Sequence, residues 1–149
     1  MALAEILQHE QGRTAVHEAC HAVAAVVLGL RLDRVLLHAE GGGRADVAGY
    51  DPERWPVVAL APAAWAYGDR DEVPGGVLSG GDAAELERAL RDGGRTLQDA
   101  WDEAKALVRA YRPAIVEVAR RLLEAGELDG IVVRRITEMA VPEWHSHVA

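Results

Sequence analysis

Two histidines stand four residues apart in Ala15-Val-His17-Glu18-Ala19-Cys20-His21-Ala22, with a glutamate directly after the first. Residues at that spacing lie about one turn apart on the same face of a helix. Both imidazoles can then reach one tetrahedral zinc ion at about 2.0–2.1 Å. Glu18 follows His17 by one position and precedes His21 by three, so it leans over the metal without ligating it and takes a proton from water there. Zinc lowers the pKa of a water it holds from roughly 15.7 toward about 7, which supplies a nucleophile at neutral pH. The pattern H-E-x-x-H therefore predicts zinc as cofactor, His17 and His21 as ligands and Glu18 as general base. Ordinary core or surface histidines would also satisfy these letters; the helical setting and apolar flank favour the metal.

A zinc hydrolase needs a third protein ligand and an open fourth position. His38 falls on an expected strand, where a pairing or surface role is the alternative. Asp82 closes a glycine-containing loop where a helix starts, so it suits either ligation or an N-cap. Glu85, one turn further on, is the alternate. His145 and His147 form an H-x-H in the tail. Cys20, three residues after His17, is read either as a thiol near the metal or as a small core residue.

The elements that must carry these residues follow from periodicity. Ala2 to Leu30 reads as helix interrupted only by Gly12, with Ile6, His9, Arg13, Val16, Cys20, Val23 and Val27 in a ladder. Thr14 is expected to cap its second part and Gly29 to stop it. The period then changes: Arg34 to His38 and Ala45 to Tyr50 read as short strands around Glu40-Gly-Gly-Gly43, a hairpin loop. Asp51-Pro52 opens a helix toward Tyr67, which Pro62 is expected to bend or break. An irregular stretch follows from Gly68 to Gly81. Helices are then expected over Ala83 to Arg91, around Leu97 to Tyr111, from Pro113 to Gly126, and from a cap at Asp129 to about Met139. The fold class is mainly α (α+β), with one small β-hairpin or sheet near the site.

Composition bounds the function. With 149 residues the chain is expected to be one domain, 1–140, followed by a tail, 141–149. Sixteen basic against twenty-four acidic residues give a formal charge of -8, and no basic stripe stands out, which argues against nucleic acid as a partner. A membrane-spanning helix needs about 20 apolar residues, and the two apolar runs, Ala22 to Leu30 and Val57 to Tyr67, are shorter. No signal peptide is visible. One cysteine excludes an internal disulfide framework. A soluble, cytoplasmic protein without membrane contact is the expectation.

At this point a resemblance enters. His17-Glu-Ala-Cys-His21-Ala resembles the zinc helix of FtsH-type ATP-dependent metalloproteases, H-E-A-G-H-A. Val35-Leu-Leu-His38, the glycine loop and Ala48-Gly-Tyr50 resemble the strand-loop-strand that follows it. Ser79-Gly-Gly-Asp82 to Glu85-Leu-Glu-Arg-Ala89 resembles the segment that supplies the third ligand. Ala100 to Lys105, and Pro113 through Leu128-Asp-Gly130, resemble the two C-terminal helices. The likeness covers roughly Arg13 to Ile136. It implies a zincin-like helical peptidase domain that hydrolyses polypeptides, with Asp82 as the third ligand; an ungapped match would select Glu85, while the Ser-Gly-x-Asp context selects Asp82.

The departures are equally specific. Leu60-Ala-Pro-Ala-Ala-Trp-Ala-Tyr67 replaces the family's Gly-Gly-Arg-Ala-Ala-Glu-Glu helix, and Cys20 stands at the family's glycine. No G-x-x-x-x-G-K-[ST] is present, so the expectation is a peptidase module without its ATPase. Such a module would act on unfolded or flexible polypeptides, with a separate ATPase or unfoldase as a partner and oligomer formation left open. Two rivals stand beside it: a non-catalytic regulatory or interaction module that keeps the fold and metal, and a regulatory protease that cuts one repressor or antitoxin.

Overall fold

In a computed structural model, which describes residues 1–76 and 81–140, seven helices surround a three-stranded sheet. The order is α1 (Leu3–Gln8), α2 (Gly12–Val27), β1 (Arg31–Leu37), β2 (Gly43–Ala48), α3 (Trp55–Tyr67), α4 (Gly81–Gly93), α5 (Leu97–Ala110), α6 (Arg112–Ala125), β3 (Glu127–Asp129) and α7 (Gly130–Ala140). The expected mainly helical fold with a small β element is what forms. No helix among the described residues is long and apolar enough to cross a membrane.

α2 is the centre of the fold. It packs against α1, α3, α5, α6, α7 and both strands of the hairpin. Ala15, Ala19, Ala22, Ala24 and Ala25 are buried along it, and their small side chains let neighbouring elements approach from several directions. A helix apolar nearly all round belongs in a core. Its N-terminal break falls at His9 to Gln11 rather than at Gly12, which is the first residue of α2. A Cβ on Gly12 would lie 1.8 Å from the carbonyl oxygen of Ile6. Glycine is therefore needed because α1 crosses there, and not as a helix breaker. Thr14 lies inside α2 and is not its cap: the first helical bond runs from the Ala15 amide to the Gln11 carbonyl.

The sheet order is β2-β1-β3, antiparallel throughout, with Val35 opposite both Ala45 and Leu128. β2 is consequently an edge strand. The hairpin turn uses Gly41 and Gly42, whose φ values of +106° and +82° only glycine adopts without strain. β3 was not expected. Three residues are too few for a period, and only pairing with β1 defines them. Asp129 ends β3 and caps α7 through a 2.9 Å bond accepted from the Ile131 amide, as anticipated.

Two further expectations need correction. Asp51-Pro52 does not open α3 directly; Asp51 Oδ1 accepts from the Arg54 amide at 3.1 Å, making a turn before the helix begins at Trp55. Pro62 does not end α3, which continues to Tyr67. Burial of Val57, Val58, Leu60, Ala61, Ala63 and Ala64 on both sides of the proline outweighs its intrinsic cost of about 3 kcal/mol.

α4 packs against α3 and is tied down at its far end. The chain leading toward it lies on α5: the Arg70 carbonyl accepts from Trp101 Nε1 and Lys105 Nζ, both at 3.1 Å. Its far end meets the turn after β2, where Tyr50 donates to Asp92 at 2.7 Å and Arg95 donates to the Glu53 carbonyl at 2.9 Å. Gly93 permits this approach, because a Cβ there would sit 2.6 Å from the Pro52 carbonyl oxygen.

Substituting Gly12→Ala should cost at least about 1–3 kcal/mol, since backbone rather than a flexible side chain must yield. Urea unfolding of the variant beside wild type measures this, with the largest loss expected in protection of the α1 amides.

Candidate metal centre

α2 places His17 and His21 one turn apart, as their spacing requires. The two Nε2 atoms lie 3.2 Å from each other, with ring centroids 4.9 Å apart and planes at 79°. Two nitrogens bound to one tetrahedral zinc at about 2.0–2.1 Å would stand about 3.3 Å apart. The pair therefore already converges as two ligands of one ion would. His17 is exposed and His21 half-buried, so the point they share opens outward.

The His21 ring is fixed from behind. Its Nδ1 lies 2.8 Å from the Val58 carbonyl oxygen of α3. A carbonyl only accepts, so Nδ1 carries a hydrogen, and in the neutral ring the lone pair is then at Nε2. Orientation of this kind is what ligating histidines usually receive from the groups behind them.

Glu18 lies toward the hairpin and is 7% exposed. Burial pushes its carboxyl up to about 7, because the charged form loses hydration. A group that titrates near neutrality is matched to taking and returning a proton there. Gly43, the first residue of β2, makes room for it: a Cβ on Gly43 would lie 3.0 Å from Glu18 Cγ and 2.6 Å from the Leu36 carbonyl oxygen. Gly43 was read from sequence only as part of a flexible loop, yet its missing side chain is what lets the carboxylate lie against the sheet.

Among the described residues no group of three or more His, Cys, Asp or Glu side chains is gathered for a metal. Asp82 occupies the second position of α4, and its side chain lies outside the described residues. Glu85 instead lines a depression of about 200 Å³ with Leu30, Val47, Tyr50, Trp55 and Arg88. His38 sits at the hairpin, where its amide donates to the Gly42 carbonyl at 2.8 Å and its carbonyl accepts from Gln11 Nε2 at 2.9 Å. His145 and His147 lie outside the described residues. Cys20 is fully buried. Burial first, and the Glu18 charge second, raise its thiol well above the usual range, so it stays protonated, as a core residue does.

Beside His17 lies a cleft of about 450 Å³, bordered by Leu7, Arg13, Val16, Pro62 and Trp65 among others. Trp65 is held in place by Arg112, whose guanidinium stacks 4.3 Å over its ring. The sequence signalled none of this, because the cleft joins α1, α2 and α3 across turns whose angles periodicity does not disclose.

Comparison with known proteins bears on the same region. Residues 9–65 match the family model described as Peptidase M50B-like. The chain is similar to metallopeptidases there. The matched stretch contains α2 with both histidines and Glu18, the hairpin and most of α3. M50 is the site-2 protease family and is distinct from the FtsH-type family that the motifs resemble. No curated protein matches the chain. The residues present fit zinc as far as they are described: two converging imidazoles, one with its tautomer fixed, and an adjacent buried carboxyl.

The Glu18 shift has a consequence for the metal-free fold. Below about pH 4.5 the carboxyl is neutral in both folded and unfolded chains, so it contributes no difference. As pH rises toward 7 the unfolded chain ionises first, and wild type loses stability on the order of 2 kcal/mol. Glu18→Gln should therefore unfold at higher urea than wild type at pH 8 in the presence of a chelator, with the two curves merging near pH 4.

Proposed function

We propose that this protein is a zinc-dependent metalloendopeptidase, built as an FtsH-type peptidase module, that hydrolyses unfolded or flexible polypeptides. The convergence of His17 and His21 Nε2 at 3.2 Å, with Glu18 buried beside them, carries this reading. The Peptidase M50B-like match over residues 9–65 supports the metallopeptidase part of this reading, and the FtsH-type part rests on the sequence motifs alone. His17, His21 and Asp82 would hold zinc. Glu85 is the weaker choice for the third ligand because it borders the depression under Tyr50.

Zinc, when bound, would supply Lewis acidity toward water and toward the scissile carbonyl. Glu18 takes the proton of the attacking water and returns it to the leaving amine. β2 is an edge strand that begins at Gly43, against Glu18. An extended polypeptide adding to that edge would be held by backbone hydrogen bonds, which are indifferent to side chains. The cleft beside His17 then accepts an apolar side chain of the substrate against Val16 and Trp65. The same reading places the protein in the cytoplasm, with a separate ATPase or unfoldase delivering substrate.

The test is cleavage of a fluorescently labelled unfolded protein, with zinc content measured on each sample. Wild type should cleave, stop with chelator and recover with zinc. Glu18→Gln should keep the zinc and lose at least about 10²-fold in rate, the usual contribution of a positioned acid–base group. Zinc binding without metal-dependent cleavage in wild type would instead favour the regulatory module.

A further inference from the structure

Pro62 stands inside α3, where proline is the least favourable of all residues. In an α-helix the carbonyl of residue i accepts from the amide of residue i+4. For Val58 that amide belongs to residue 62, and proline has none. The Val58 carbonyl therefore lacks its normal helical donor, and it is this carbonyl that lies 2.8 Å from His21 Nδ1. A proline ring also presses on the carbonyl four residues earlier, which turns that oxygen off the helix axis and toward a lateral donor. Without either effect the imidazole would compete with a backbone amide for the acceptor.

We infer that Pro62 is a positioning residue for the metal centre: lacking an amide hydrogen, it leaves the Val58 carbonyl to hold His21 with its hydrogen on Nδ1 and its Nε2 lone pair facing the ion. This rests on the reading of His17 and His21 as zinc ligands. It also assigns a purpose to the segment in which the chain departs most from the family it resembles, since Pro62 lies within Leu60 to Tyr67. Groups that orient a ligating histidine typically contribute 10–100-fold to metal affinity.

Two variants at one position separate this role from a structural one. Pro62→Ala restores the amide hydrogen. Lactic acid incorporated at position 62 has the same methyl side chain as alanine but an ester oxygen in place of the amide. Metal-free protein is studied by ¹⁵N NMR of the histidine rings, and zinc affinity is measured by titration against a competing chelator. Wild type should show His21 protonated at Nδ1 only. Pro62→Ala should shift part of the population to hydrogen on Nε2 and weaken zinc binding about tenfold or more, while raising the thermal midpoint of the metal-free protein. Lactic acid at 62 should restore both the wild-type tautomer and the wild-type affinity.

The inference is overturned if Pro62→Ala keeps the His21 tautomer and binds zinc within twofold of wild type. It is equally overturned if the lactic acid variant behaves like alanine, because the altered side chain would then be responsible. A wild type that binds no zinc at all overturns the metal reading, and the titration of wild type alone tells that failure from the other two.

Discussion

The candidate centre depends on α2 being clamped by the rest of the fold. The helix that carries His17, Glu18 and His21 is the one against which five helices and the β-hairpin pack. Rotating it by even one residue's worth of arc, about 100°, would exchange Glu18 for His17 at the sheet and put an imidazole where the Glu18 stem lies against Gly43. Packing at close to crystal density resists such rotation. The directions of three reactive side chains are thus fixed by contacts made by Ala15, Ala19, Ala22, Val23 and Ala25, none of which does chemistry.

Pro62 and Gly43 act on opposite sides of that clamped helix. On the α3 side, the Val58 carbonyl holds the His21 ring; on the sheet side, the absent Cβ of Gly43 gives the Glu18 stem its place. Both residues are conformationally costly where they stand, a proline in a helix interior and a glycine in a strand. Local rules broken in the interior of well-packed elements tend to mark function, and here both exceptions touch the same three-residue constellation from different elements.

Much of this was legible in the sequence because it depends on short-range spacing. The one-turn separation of His17 and His21 follows from helical geometry, and the hairpin follows from a change of period plus consecutive glycines. What was not legible depends on which elements meet. β3 exists only because β1 pairs with it. Gly12 looked like a breaker, because the sequence does not show that the Ile6 carbonyl crosses above it. Pro62 looked like a bend or a break, because the apolar surface that holds α3 together on both of its sides comes from α2 and α5. Gly43 looked interchangeable with Gly41 and Gly42, although those two serve backbone φ and Gly43 serves a close approach of the Leu36 carbonyl and the Glu18 stem.

The faces of α2 also impose an order on any substrate. His17 and the cleft lie toward α1 and α3, while Glu18 and the start of β2 lie toward the sheet. A polypeptide paired along β2, as proposed, would pass close to Glu18, which lies against Gly43 at the start of that strand. On the proposed reading, a side chain of the bound polypeptide would be seated against Val16 and Trp65 in that cleft. Edge pairing sets the register of the chain in steps of two residues, because alternate side chains face opposite sides of a strand. The recess then decides which of those registers is productive. A site that works as proposed would draw its tolerance from β2 and its selectivity from the α1–α2–α3 cleft, and changes in the cleft would alter the second without disturbing the first.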